Sequence, residues 1–232
     1  MRRVLVTGAN RGLGLEFTRQ LLARGDRVIA ACRQPKRATV LNELARMHIG
    51  QLHLRPVDMA EPASVAALAR ETARLFDGLD LLVNNAGMLV SGERFGSVAA
   101  DALKTSLHVN AAGPFLLVQA LAAALAKGNA PVVANLSSQL GSIANTASFH
   151  TPSYAISKAA LNMATVLLAH ALKDAGVRVA ALHPGWVQTD MGGSGATLTV
   201  PESVTWLLMA IDGLKPSDSG CFIDYRGQPL PW

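Results

Sequence analysis

Runs of Val, Ile, Leu and Ala recur along the chain, and the stretches between them carry Ala and Leu at helical spacing. Continuous apolar runs suit strands buried on both faces, whereas longer stretches of helical period suit helices lying against such a sheet. The pattern predicts seven strands, over 3–7, 27–32, 51–57, 79–84, 131–137, 178–183 and 221–225. Six helices are predicted between them, over 12–23, 36–47, 62–75, 98–126, 153–174 and 201–211. Proline follows Glu61 and Val200, where a first helical turn tolerates it, and Gly25, Gly128 and Gly176 stand where helices should end. Strands alternating with helices require right-handed crossovers. The expected fold is therefore α/β, a single-domain Rossmann-type doubly wound parallel sheet with helices on both faces. No linker, repeat or low-complexity block divides residues 1–232.

Composition narrows the classes of function. Of the 232 residues 50% are apolar and 16% charged, enough for one buried core without disulfides or metals. Cys32 and Cys221 lie far apart within apolar stretches, which fits two buried thiols in a reducing compartment, and a cytoplasmic location is expected. The basic start, Arg2 and Arg3, is followed by an apolar run of only Val4 to Val6, too short for a signal-peptide core. The uncharged stretch 111–126 is interrupted by Gly113, Pro114 and Gln119 and falls short of the roughly 20 residues a membrane span needs, so no membrane partner is expected. The formal net charge is +5, yet Lys and Arg are scattered without a tract, which argues against nucleic acid and leaves an anionic cofactor to use part of that charge. Neither H-x3-H nor C-x2-C spacing occurs, and no metal site is expected.

The first strand runs straight into Thr7-Gly8-Ala9-Asn10-Arg11-Gly12-Leu13-Gly14 and then a helix. Its G-x3-G-x-G spacing departs from G-x-G-x-x-G, but the placement is where a dinucleotide pyrophosphate meets helix N-terminal N–H groups. Gly8, Asn10, Arg11, Gly12, Leu13 and Gly14 are therefore candidate cofactor contacts. At the end of the second strand, where an NAD site places an acid, stands Arg33 in Ala31-Cys32-Arg33-Gln34-Pro35. A carboxylate would repel a 2′-phosphate, while a guanidinium binds it through a charge-assisted fork. Arg33, with Arg11 as a second cation, predicts NADP(H).

Ser153-Tyr154-Ala155-Ile156-Ser157-Lys158 places a tyrosine and a lysine on one face of a predicted helix. An ammonium beside a phenol stabilises phenolate and is expected to lower its pKa toward a value useful for proton exchange. Asn110, in His108-Val109-Asn110-Ala111, is a polar residue inside a long apolar helix, costly unless it has a partner.

Four motifs, in this order and spacing, resemble the short-chain dehydrogenase/reductase family over nearly the whole chain. They are the Thr7 to Gly14 loop, Asn84-Asn85-Ala86-Gly87, Asn135-Leu136-Ser137-Ser138 and Tyr154-x-x-x-Lys158. His183-Pro184-Gly185-Trp186-Val187-Gln188-Thr189-Asp190-Met191 is similar to the family's Pro-Gly segment. The resemblance implies an NADP(H)-dependent oxidoreductase interconverting a small-molecule carbonyl and an alcohol. It implies Tyr154 as acid/base, Lys158 on the nicotinamide ribose while tuning Tyr154, Ser138 on the substrate oxygen, and Asn110 completing a proton relay. It further implies Asp58 and Met59 at the adenine, Asn85, Ala86 and Gly87 along the adenosine ribose, and Pro184, Gly185, Val187 and Thr189 toward the nicotinamide and pyrophosphate.

Family spacing puts the catalytic serine where Gly141 stands, so an insertion between Gly141 and Tyr154 is inferred, with Ser138 as the serine and Ser137 the alternative. That spacing, the Cys-Arg-Gln-Pro end of the second strand and the closing Leu230-Pro231-Trp232 resemble the C-factor or sniffer-like carbonyl reductase branch. A homodimer or homotetramer is implied, pairing the Ala-rich helices that carry Asn110 and Tyr154. The loop 142–152, with Phe149 and His150, is expected near the substrate opening. Met191-Gly192-Gly193-Ser194-Gly195-Ala196 predicts a small or mobile lid over an open site of broad carbonyl specificity. The alternative from another class is a non-catalytic NADP(H)-sensing or signalling protein on the same fold.

Overall fold

A computed structural model describes the chain from Met1 to Trp232. Its strands are β1 (Arg3–Thr7), β2 (Arg27–Cys32), β3 (Leu52–Pro56), β4 (Leu81–Asn84), β5 (Val132–Leu136), β6 (Arg178–His183) and β7 (Cys221–Asp224). They form one sheet in the order β3-β2-β1-β4-β5-β6-β7, parallel throughout. The helices are α1 (Gly12–Ala23), α2 (Thr39–Met47), α3 (Pro62–Leu75), α4 (Ala100–Leu107), α5 (Gly113–Leu125), α6 (Pro152–Ala171) and α7 (Val200–Gly213).

Successive residues of each strand feed opposite cores. Val4 and Val6 pack with Phe17 and Leu21 of α1 and Leu207 of α7, while Leu5 between them packs with Leu68 of α3, Leu117 of α5 and Leu168 of α6. Both faces being covered is why the strands read as unbroken apolar runs. The chain order reverses between β1 and β4, and ligands of such sheets bind in the crevice beyond the strand C-termini at that switch point.

Element boundaries depart from expectation where local chemistry intervenes. Strands 51–57, 79–84, 131–137 and 221–225 are shorter at one or both ends. Helix 36–47 is a 3-10 turn at Pro35–Arg37 followed by α2, and helix 153–174 ends at Ala171 before a 3-10 turn at Lys173–Ala175. Helix 201–211 extends over Val200–Gly213, started by a capping box in which Thr199 and Glu202 bond each other reciprocally.

Segment 98–126 changes most. It is α4, a π-helical turn over His108–Ala112, and α5. The helix passes close over the loop after β3 here, since a Cβ on Gly113 would lie 2.4 Å from the Met59 carbonyl oxygen. The run Ala100–Leu125 spans 26 residues with a mean hydropathy of 1.4, long and apolar enough by length and composition to cross a membrane, which the stretch 111–126 alone did not suggest. Leu117, Val118, Leu121 and Leu125 of this run are buried in the core on one face of the sheet, and 39% of its most apolar stretch is buried in all.

Candidate active site

The loop after β1 is shaped by absent side chains. A Cβ on Gly8 would stand 2.8 Å from Ala86 Cα, and one on Gly14 would stand 2.4 Å from both Asn85 Nδ2 and the Gly8 carbonyl oxygen. Gly8 and Gly12 also hold φ of +65° and +52°, in the region that favours glycine. At Gly12 there is room: a Cβ would meet only Thr189 Cγ2, at 3.6 Å. The N-terminus of α1 thus opens toward the loop after β6. Asn10 is exposed at the rim, and Leu13 packs against the core.

Asn85 staples this loop to the one after β4. Its amide donates to the Thr7 and Gly8 carbonyls at 2.8 and 3.2 Å, while Thr7 Oγ1 accepts from the N–H groups of Asn85 and Ala86, each at 3.1 Å. The side chain expected along a ribose is therefore committed to the backbone of the phosphate loop. Met59 is likewise core rather than rim, 5% exposed among the residues beneath the sheet. Asp58 Oδ1 accepts from Ala60 N–H at 3.0 Å, closing the turn after β3. Arg11 pairs with Asp190 across the crevice mouth. Both partners are well exposed, so the pair contributes little, and Arg11 is held by no more than a surface contact. Arg33, Lys36 and Arg37 line a cavity of about 690 Å³ beyond β2 whose lining includes no acid.

The polar cluster lies on the other side of the crevice. Tyr154 and Lys158 are 8% and 4% exposed, with the Lys158 Nζ 5.5 Å from the centre of the Tyr154 ring. Lys158 Nζ donates to the Leu136 carbonyl at 2.6 Å. Asn110, at the π turn, donates to Ser157 Oγ at 2.9 Å, and Ser157 donates to the Tyr154 carbonyl at 2.7 Å. The same Asn110 side chain accepts from Met88 N–H and donates to the Met88 carbonyl, both at 2.8 Å. Gly87 keeps this space open, since a Cβ there would lie 3.3 Å from Asn110 Oδ1 and 3.7 Å from Lys158 Nζ.

The two serines separate by their partners. Ser137 donates to Asn162 Oδ1 at 2.6 Å within the core, whereas Ser138 caps the turn Gln139–Gly141 and its hydroxyl faces the Tyr154 phenol. Gly141 is pressed on α6: a Cβ there would stand 2.8 Å from Lys158 C and Cβ, so no serine fits at that spacing.

Electrostatics reverse one expectation. Burial pushes the Tyr154 phenol up to about 12, with the Ser138 hydroxyl acting the other way, and burial lowers the Lys158 ammonium to about 8. Burial outweighs the neighbouring ammonium here: both groups lose hydration, and each favours its uncharged form.

The family described as short chain dehydrogenase matches residues 2–197. The chain belongs to that family. It is 42% identical to the C-signal of Myxococcus xanthus over 66% of this chain and 93% of that protein. Its fold superposes on the carbonyl reductase Sniffer of D. melanogaster with a TM-score of 0.95 at 34% identity, covering 100% of each chain. It also superposes on an NADPH-bound carbonyl reductase from chicken fatty liver with a TM-score of 0.94 at 37% identity, covering 100% of this chain and 99% of that one. These likenesses agree with the C-factor and sniffer-like branch.

The segment after β6 is small but folded. Trp186 donates from Nε1 to the Gly192 carbonyl at 2.8 Å, Thr189 Oγ1 accepts from Gly192 N–H at 3.1 Å, and Val187, 4% exposed, bridges to Leu198. Gly185 needs its φ of +83°, and a Cβ there would meet Leu198 Cδ1 at 2.4 Å. The Pro184 carbonyl accepts from Ser203 of α7 at 2.7 Å. Sequence reasoning missed Thr7, Ser157 and Met88. Thr7 and Ser157 stood inside quoted motifs, so a search for partners of Asn85 and Asn110 would reach them, whereas Met88 acts through its backbone and leaves no signal.

Proposed function

We propose that the chain is an NADP(H)-dependent carbonyl reductase, interconverting a small-molecule carbonyl and an alcohol with Tyr154 as the acid/base. One observation carries this reading: Tyr154, Ser138, Lys158 and Asn110 converge at the switch-point crevice, each buried and ordered by named partners. The crevice also fits the cofactor. Gly12 leaves the α1 N-terminus clear for a pyrophosphate, and the acid-free basic cavity at Arg33 suits a 2′-phosphate. The NADPH-bound chicken reductase supports the same assignment.

Bound there, NADPH supplies a hydride to the carbonyl carbon. Tyr154 holds the proton that the oxygen takes, and a phenol raised to about 12 is fully protonated at neutral pH, as a donor must be. Ser138, with its hydroxyl beside the phenol, polarises that oxygen. Lys158, lowered to about 8, is still largely cationic near neutrality and faces the ring, where it favours the phenolate that proton donation leaves. Asn110 and Ser157 hold the backbone of Tyr154 in place.

Initial rates with NADPH and NADH on a panel of aldehydes, ketones and quinones test the proposal, with NADPH-dependent oxidation expected. The C-signal relative favours a second reading, a non-catalytic NADP(H)-sensing or signalling protein. NADPH binding without oxidation on the whole panel would select it.

The expected homodimer or homotetramer gains support from an open apolar groove of about 390 Å³ between α4, α5 and α6, lined by Leu107, Phe115, Leu116, Ala160 and Ala164 among others. Sedimentation equilibrium tests it. Two free thiols, each raised in pKa by burial, support the cytoplasmic expectation.

A further inference from the structure

Tyr154 is the third residue of α6, so whatever seats the first turn of that helix also places the phenol. The local cap is missing. Thr151 precedes the helix with φ 40° and ψ 57°, and its side chain makes no cap hydrogen bond. A left-handed conformation is costly for a β-branched residue and persists only where the surroundings hold it. Ser153, wholly buried, finds its partner on another segment. Its N–H donates to Glu93 Oε2 at 3.1 Å, and its hydroxyl donates to Glu93 Oε1.

Glu93 lies in the loop after β4 and forms no ion pair, so both of its carboxylate oxygens are left to the first turn of α6 through Ser153. The same loop is clasped upstream, where Asn110 bonds both backbone groups of Met88. Asn110 continues to Ser157 and Ser157 to the Tyr154 carbonyl. The bonds close a circuit: Met88, Asn110, Ser157, the first turn of α6, Ser153, Glu93 and back along the loop to Met88. Phe95 of that loop meets Phe149 edge-to-face at 5.7 Å, a second tie between the loop and the segment leading into α6.

We propose that Glu93 is a positioning residue. Its carboxylate caps α6 from outside the helix and holds Tyr154 and the loop 88–99 in register with Asn110. The kinetic consequence rests on the reductase reading; the clip itself does not.

Hydrogen exchange of the cofactor-free protein reads the clip directly. Glu93→Ala should speed exchange about tenfold or more in peptides covering 88–99 and 152–156 and leave β1 to β3 unchanged. Glu93→Gln, which keeps an acceptor for the Ser153 N–H, should recover most of the protection. In turnover, Glu93→Ala should lower kcat roughly 10- to 100-fold, as displacement of a reacting group does, with KM for NADPH within about twofold. Ser153→Ala should show the same pattern more weakly, and the double variant should be no worse than Glu93→Ala. Wild-type exchange in Glu93→Ala, protection lost equally across the sheet, or additive effects of the two substitutions would overturn the proposal. If Glu93→Ala does not fold, Ser153→Ala should lose part of the protection in the same peptides while Glu93→Gln keeps most of it, and equal protection in the two would overturn the proposal. A wild-type protein that reduces no carbonyl would sink the reductase reading, and exchange would still decide the clip.

Discussion

The two sides of the crevice are built by opposite means. Beyond β1 the chain makes room by omission, with Gly8 and Gly14 lacking a Cβ where Ala86, Asn85 and the loop's own backbone stand within 3 Å. Beyond β4 and β5 it fills space with buried polar groups. Asn84 donates to Asn135 at 2.8 Å, Asn135 to Thr165 at 2.9 Å, and Asn110 to Ser157 at 2.9 Å. A backbone-defined loop tolerates change at its rim, such as the exposed Asn10 and Arg11, but none at its contacts. In a network of buried donors and acceptors each orphan costs the desolvation of that group, and of these side chains only Asn84 keeps one, its Oδ1 having no partner.

The sharpest way to break the comparison is to remove chemistry without removing packing. Tyr154→Phe should cut turnover roughly 10²- to 10⁴-fold, as loss of a general acid does, while NADPH still binds in a fluorescence titration. Loss of both together would mean that the two sides are not separable.

Titration of the cofactor-free protein isolates the polar side next. Lys158 falls from its ordinary 10.5 to about 8, so between those values the unfolded chain holds a proton that the folded chain has released. Stability should therefore rise with pH across that window, by at most about 3 kcal/mol. Tyr154 opposes it at higher pH. Its value rises from 10.0 to about 12, the folded chain keeps its proton longer, and stability should fall as pH climbs between the two. Urea unfolding at pH 8 and pH 10, compared between wild type and Lys158→Met, measures the first effect, since Cys32 and Cys221, raised by burial, oppose it equally in both proteins.

The glycine side predicts a contrast between neighbours. Gly14→Ala puts a Cβ 2.4 Å from backbone and Asn85, and should cost about 1–3 kcal/mol in thermal unfolding together with weaker NADPH binding. Gly12→Ala meets nothing nearer than 3.6 Å, so only its φ of +52° opposes it, and a loss of about 1 kcal/mol is expected. Equal losses would refute the steric account. The rim acts on specificity and not on stability: Arg33→Glu should reduce the NADPH-over-NADH preference in kcat/KM by about 10- to 100-fold and leave thermal unfolding unchanged.

Some of this was readable without coordinates because it depends on spacing along the chain. Alternating apolar segments specify a parallel sheet with two covers, and Tyr154 and Lys158 share a face wherever that segment is helical. The glycine loop and Arg33 follow strand ends, so their placement comes with the topology. Other assignments turned on distances between remote segments. Whether Gly141 could be the serine position depended on the approach of Lys158, and whether Ser137 was free depended on Asn162. Asn85, Met59 and Arg11 had the right neighbours in sequence, yet one bonds the phosphate loop, one fills the core and one meets Asp190. The pKa directions moved for the same reason. Proximity on a helix can be counted from the sequence, whereas burial of both Tyr154 and Lys158 is a property of everything packed around them. The sequence by itself determined the order of elements and the kinds of group delivered to the crevice; tertiary packing decided which of those groups were left free to act, since only the folded chain shows which hydrogen bonds are already made.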